Sequence, residues 1–312
     1  MGTKAKSYPL SKVIEGYKLS IGARNLSPNT IDDYSRTLAR FATFLGNDPP
    51  IGEIDHHHIE SFLAARPELS NKSRLNYYVG LSSLWTWLVN EEIVPENVVR
   101  KMTPPKFERK EVVPLTEGEI KAIFAALQRS RVYRRDGQNV DHALGSYERN
   151  RAILLLLLDT GLRASELCDL TIEDLDNRNN RIEIRHGKGG KGRTLPFSPR
   201  TGQVIWRYLA GRKDTRPQDP LFVGRFQRPL TRTKLAEMVQ NIGKRAGVAG
   251  VHPHRFRHTF AIQYLRNGGN AYTLQAMLGH SSLETVKIYL RLAEVDLDTA
   301  HRRASPVDNW RL

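Results

Sequence analysis

The stretch VHPHRFRHTF, Val251 to Phe260, places three histidines and two arginines within seven residues. At close spacing these side chains can bind a phosphate and move a proton. His-x-x-Arg occurs twice, as His252 with Arg255 and as His254 with Arg257. A residue before proline is pushed out of the helical region, so His252 is not helical, while Pro253 suits the first helical position. A helix from there to Gly268-Gly269 puts His254 and Arg257 on one face with Ala261 and Leu265 and turns Arg255 away. His258 lies on nearly the same face and stays a candidate neighbour. A plain basic helix with one core histidine would show the same letters, so the segment needs support from elsewhere.

Three other segments carry similar residue types. In DTGLRASEL, Arg163 and Glu166 are three apart on a helix expected to start at Asp159-Thr160, which is also the look of an ordinary ion pair. RIEIRHGKGGKGRTLPF switches from a period of 3.6 to 2 around a glycine-rich centre, marking a β-hairpin that lifts Lys188 and Lys191 on its turn. In MLGHSSLETVKIYLR, Gly279 ends one helix, Ser281 and Glu284 have capping-box spacing, and the next helix carries Tyr289 about two turns on. His280 then sits just outside a helix N-terminus, where backbone N–H groups favour an anion.

Taken in order, an arginine, a hairpin lysine, His-x-x-Arg, a histidine and a late tyrosine resemble the motifs of the tyrosine recombinase (phage integrase) family. The strings TGLRASEL, GKGGKGRTLP, HRFRHTFA and LGHSSLETVKIYLR carry the likeness. LSPNTIDDYSRTLARFATFL extends it to the helical N-terminal half. In that family the reacting arginine is followed by His, a small hydroxyl residue and Phe-Ala, which matches RHTFA after Arg257 and selects the His254–Arg257 pair.

The resemblance implies a catalytic set of Arg163, Lys188, His254, Arg257, His280 and Tyr289. Tyr289 would be the nucleophile, giving a 3′-phosphotyrosyl DNA and a free 5′-OH. Arg163 and Arg257 would clamp the nonbridging oxygens, and Lys188, preferred to Lys191 because it lies in the first GKG, would protonate the leaving oxygen. His254 would take or return the tyrosine proton, and His280 would donate to the phosphate. Glu166 would orient its neighbours, and His258 would support the site without a fixed role. Further DNA contacts are expected at Arg74, Asn76, Lys191, Arg193, Arg232, Lys234 and Arg255. The implied reaction needs no cofactor, metal or ATP. It proceeds through a Holliday junction in a homotetramer on two sites of double-stranded DNA, with residues 290–312 docking onto a neighbouring subunit.

The elements that must position these residues also follow from the chain. At 312 residues it can fold two domains. Residues 1–102 read as an all-helical domain, with Ser27-Pro28 and Asp55 placed to start helices, and the resemblance implies that it is the family's core-binding (SAM-like) domain. TPPKFERKEVVP mixes prolines with charges, so 103–114 is the expected linker. Residues 115–312 read as a mostly helical α/β catalytic domain with a small antiparallel sheet, its first helix opened by a Thr116/Glu119 capping box. The resemblance implies that the two domains form a C-shaped clamp on DNA. The segment 129–149 is basic with little periodicity and is expected to be a loop or a broken helix.

Forty-eight Lys and Arg against thirty-three Asp and Glu leave a net charge of +15 and a pI near 10, pointing to a polyanionic partner. Residues 111 to 312 hold +12 of that excess. The one cysteine, Cys168, excludes an internal disulfide and reads as a small helix residue. No apolar run spans a bilayer and MGTKAKSY lacks a signal core, so a cytoplasmic, nucleoid-associated protein is expected. His56 to His58 are sequence neighbours that point apart on a helix and are not a metal site. Trp85 and Trp87 fall in an apolar stripe and read as core.

Other functions fit less of the chain. A metal-dependent nuclease should show carboxylate clusters, whereas Glu166 stands alone among the motifs. A non-catalytic DNA-binding regulator leaves the ordered motifs unexplained. A type IB topoisomerase shares the chemistry but not the compact two-domain spacing. With no arm-binding domain before Leu10, a Xer-type or mobile-element recombinase is expected over a lambda-like integrase, and the choice between the first two stays open.

Overall fold

The computed structural model describes residues 7–24, 26–107, 113–128, 133–135, 138–140, 146–185, 192–279, 282–293, 301, 305 and 307. The chain divides into two compact units, Met1–Lys110 and Glu111–Leu312. The fold is mainly α with a small antiparallel sheet in the second unit. Among the described residues, no helix is long and apolar enough to cross a membrane.

The first unit is built from α1 (Leu10–Ala23), α2 (Pro28–Leu45), α3 (His56–Ala64) and α4 (Asn71–Asn90). Its helix starts follow local chemistry. The Ser27 hydroxyl accepts from the Thr30 backbone N–H with Pro28 at the first position, and Asp55 accepts from the His58 backbone N–H. His58 reaches back to the Asp55 N–H, so one histidine of the HHH run caps its own helix. Leu10, Val13, Ile14, Tyr17 and Ile21 recur at helical spacing and are buried. Trp85 is wholly buried and meets Phe41 edge-on, and Trp87 packs against Tyr17. Both tryptophans are core.

The second unit opens with α5 (Glu117–Ala125), started by the Thr116/Glu119 capping box its spacing predicts. The segment expected as a loop or broken helix contains instead a two-stranded antiparallel ribbon, β1 (Tyr133–Arg135) and β2 (Gln138–Val140), with Tyr133 opposite Val140. Asp136-Gly137 between them is a strong hairpin-turn dipeptide in the sequence.

The hub is α6 (Tyr147–Thr160), on which Ala152, Ile153, Leu154, Leu156 and Leu157 are fully buried. It ends at Gly161, which adopts a left-handed φ of 64°. The short α7 (Ala164–Asp169) therefore starts anew after Arg163, whose backbone is extended, and not at Asp159-Thr160 as expected. The sheet runs β3 (Leu175–Asp176), β4 (Arg181–Ile184), β5 (Arg193–Pro196) in that order, with Ile184 opposite Arg193. The expected hairpin is thus present with a third short strand beside it. Helices α8 (Pro199–Ala210), α9 (Arg232–Arg245), α10 (Pro253–Arg266), α11 (Ala271–Leu278) and α12 (Glu284–Ala293) complete the unit.

Candidate functional site

Helix α10 starts as the proline argument requires. His252 is its extended N-cap, with its ring accepting from the Arg255 N–H at 3.2 Å, and Pro253 stands at the first position. His254, Arg257, His258 and Ala261 then follow on the face that α12 packs against. Arg257 is 1% exposed, and its guanidinium donates to the carbonyls of Gly161 at 2.7 Å and Leu278 at 2.8 Å.

The Leu278 carbonyl is one of three in a row. At the C-terminus of α11, Met277 O accepts from Arg193 at 2.7 Å, Leu278 O from Arg257, and Gly279 O from Arg163 at 3.1 Å. The last carbonyls of a helix lack intrahelical donors and carry the negative end of its dipole. Three guanidiniums, from β5, α10 and the turn before α7, satisfy them. Gly279 is left-handed, with φ of 61°, which ends the helix and turns its carbonyl to Arg163.

Like charges so close need a counter-ion, and Glu166 supplies it. Its carboxylate accepts from Arg193 in fork geometry at 2.9 and 2.9 Å, from the Arg163 guanidinium at 2.7 Å and from the Arg163 backbone N–H at 2.8 Å. Burial alone would push this carboxyl up, but the Arg193 and Arg163 bonds and charges hold it at about 2. Burial, followed by the Arg163 charge, brings Arg257 down to about 10. Three arginines and one carboxylate leave a positive excess that a phosphate can neutralise. Arg163 is more open than Arg193, with 25% of its side chain exposed against 12%.

Tyr289 lies on α12 between Val286 and Ala293, all buried toward α10. A buried phenol needs a polar partner, and the Tyr289 hydroxyl finds it in His258 Nδ1 at 2.9 Å. The His254 and His258 rings meet edge-on with centroids 4.3 Å apart. Burial raises the Tyr289 pKa against the opposing pull of Arg257 and Arg163. Desolvation, then the charges of Arg257, His252 and Arg163, lower that of His254. The structure thus brings Arg163, Glu166, His254, Arg257, His258 and Tyr289 together. The ring in contact with the tyrosine hydroxyl is that of His258, which has no fixed role in the sequence reading, and not that of His254.

Lys188, Lys191, His280 and Ser281 lie outside the described residues, as does most of the tail at 294–312. The Ser282 hydroxyl accepts from the Glu284 N–H at the start of α12. Within 290–293, part of the segment expected to dock on a neighbour, Leu290, Leu292 and Ala293 pack in their own unit and the Leu292 carbonyl accepts from Arg266, while Arg291 is exposed.

The expected DNA contacts divide. Arg193, opposite Ile184 in the sheet, is turned into the site, donating to Glu166 and to Met277 O at the α11 terminus. Arg255 is likewise committed, donating to Ala249 O at 2.7 Å, Val113 O at 3.1 Å and Glu119 at 3.0 Å. Arg74 braces the turn before α4 through the carbonyls of Arg66 and Pro67. Asn76 is exposed and lines an open cavity of about 520 Å³ in the first unit with Arg36, Arg40 and Lys72. Arg232 and Lys234 are exposed in the first turn of α9, and Lys234 pairs with Glu237 at 2.7 Å. Cys168 is half-buried, and burial pushes its thiol up to about 11, away from the thiolate form that reacts. Among the described residues, no cluster of His, Cys, Asp and Glu could hold a metal ion.

Residues 115–295 match the model of the phage integrase family, and residues 14–92 match that of the phage integrase N-terminal SAM-like domain. The chain is 30% identical over 293 residues to the tyrosine recombinase XerC of Lactobacillus delbrueckii subsp. bulgaricus, covering 91% of this chain and 95% of that protein. It is 29% identical over 288 residues to the tyrosine recombinase XerD of Ralstonia nicotianae, covering 90% and 89%. In fold it resembles the Tn1549 transposon integrase, solved in complex with a circular intermediate DNA. The TM-score is 0.75 at 21% identity, over 98% of this chain and all of that one.

Proposed function

The chain belongs to the phage integrase family of tyrosine recombinases, and on that premise we propose that it is a site-specific recombinase. It cleaves and rejoins double-stranded DNA through a 3′-phosphotyrosyl intermediate. The observation that carries this reading is the gathering, within one chain, of a buried phenol, a histidine on its hydroxyl and two arginines whose charges it feels.

The Tyr289 oxygen attacks the scissile phosphorus and the 5′ oxygen leaves, so the phosphodiester energy is kept in the covalent bond and no ATP is needed. Arg163 and Arg257 neutralise the nonbridging oxygens in a geometry lysine does not reproduce, the task for which other nucleases use metal ions. Their positions are fixed before DNA arrives, because Glu166 and the α11 carbonyls hold the guanidiniums. Lys188 protonates the departing oxygen, and His254 and His280 donate to the phosphate.

A 5′-OH from a second DNA then attacks the phosphotyrosine. Two such exchanges through a Holliday junction, in a homotetramer on two sites, yield integration, excision or resolution. Residues 1–102 form the core-binding domain, with Asn76 on its DNA side. Residues 103–114 link it to the catalytic domain of 115–312, where Arg232 and Lys234 add phosphate contacts. The tail beyond Ala293 docks on a neighbouring subunit. The enzyme works on nucleoid DNA in the cytoplasm. Similarity to XerC and XerD along most of their length favours a Xer-type enzyme.

The test uses duplex DNA selected by the native chain from a random-sequence pool, in EDTA. Tyr289→Phe is expected to bind that DNA as the native chain does while forming no covalent adduct. Undiminished cleavage by the variant, or a requirement for a divalent metal, overturns the mechanism.

A further inference from the structure

We propose that His258 is the general base of the cleavage step, taking the phenolic proton of Tyr289 on its Nδ1. This rests on the recombinase reading and assigns a role within the same site. Geometry comes first. His258 Nδ1 lies 2.9 Å from the Tyr289 hydroxyl, within the hydrogen-bond reach expected of its proton acceptor. The hydroxyl belongs to a residue 3% exposed, and the partner it meets there is the His258 ring.

The neighbours narrow the choice. Arg163 and Arg257 are cations and accept no proton. His254 lies beside the guanidiniums, whose charges it feels, and the ring it meets edge-on at 4.3 Å is that of His258, which in turn is the one against Tyr289. Position on the helix explains the division: residues 254, 257 and 258 share the face of α10 that meets α12, with His258 a full turn beyond His254. The buried phenol is held protonated, its pKa raised by burial. A nucleophile in that state needs a base in contact with it.

The step balances. The Tyr289 Oη–P bond forms as the P–O5′ bond breaks. The phenolic proton passes to His258 Nδ1, leaving an imidazolium, and the 5′ oxygen takes a proton from Lys188. In rejoining, the 5′-OH returns its proton to the lysine, and His258 gives its proton back to the tyrosine oxygen. His254 remains a phosphate donor throughout.

The experiment compares single-turnover cleavage by the full chain, His258→Asn, His258→Gln, His254→Asn and Lys188→Ala. The probe is a nicked duplex carrying the selected sequence, made with either a normal or a sulfur-bridged 5′ leaving group. A thiolate leaves without a proton, so the sulfur substrate bypasses the acid but not the base. Both His258 variants are expected to cleave roughly 100-fold or more slowly on both substrates, with melting temperature and DNA affinity near those of the native chain. Lys188→Ala is expected to recover on sulfur. His258 variants within about threefold of the native rate, or their recovery on the sulfur substrate, overturn the assignment. So does a sulfur-insensitive loss confined to His254→Asn. If the native chain forms no adduct at all, the recombinase reading itself fails. A native adduct beside fast His258 variants defeats only the assignment of His258 as the base.

Discussion

Glu166 sets the charge balance on which the arginines depend. Its folded pKa of about 2 lies below the ordinary 4.5, so its ionised form stabilises the fold. That contribution is fully present above about pH 4.5 and is lost as pH falls toward 2. Glu166→Gln is expected to cost on the order of 3 kcal/mol at neutral pH, measured by denaturant unfolding, and to flatten stability between about pH 5 and 2. An unchanged acid limb contradicts the counter-ion role. At this scale the sequence is legible in part. The types and spacing of Arg163, Glu166, His254, Arg257 and Tyr289 can be read, and the structure assembles them. The contact of His258 with Tyr289 cannot, because it joins residues thirty-one apart on two different helices. Nor can the role of Arg193, whose partners lie twenty-seven and eighty-four residues away. A basic residue after a glycine-rich turn carries no sign in the sequence of the buried carboxylate its fork meets.

Two helix ends frame the arginine site, and both depend on backbone that a side chain would disturb. Gly161 stops α6 in a left-handed turn and offers its carbonyl to Arg257. A Cβ there would sit 2.4 Å from Phe260 on α10. Gly161→Ala therefore combines backbone strain with overpacking and is expected to destabilise the second unit by about 3 kcal/mol. Cleavage should fall further than the stability loss explains, because Arg257 loses its anchor. A variant as stable and active as the native chain counts against this view of the α6 terminus. Helix starts at Ser27, Asp55, Thr116 and His252 are legible because capping is local chemistry. The break between α6 and α7 is not, because Asp159-Thr160 imitates a helix start. Asp159 is used otherwise, accepting from the Ser198 N–H and the Thr201 hydroxyl. The ribbon at Tyr133–Val140 breaks the expectation of a loop although Asp136-Gly137 signals it.

Over the whole molecule, +12 of the net +15 lies in residues 111 to 312, the part that holds the arginine site. DNA affinity should fall steeply with salt, with a log–log slope of about −4 or steeper by titration between roughly 50 and 200 mM. A flat response contradicts a phosphate-dominated interface. Composition and the proline-rich charged segment make the basic second half and a two-domain plan legible. Charge alone does not say which arginines have partners within the chain, as Arg74, Arg193 and Arg255 do. The central claim is that Tyr289 joins covalently to a DNA 3′ phosphate. It is tested most directly by trapping the native chain on a nicked duplex of selected sequence, digesting both components and locating the linkage by mass spectrometry. A 3′-linked nucleotide on the peptide containing Tyr289 is expected; a 5′ linkage, another modified residue or no covalent product rules out Tyr289 as the nucleophile.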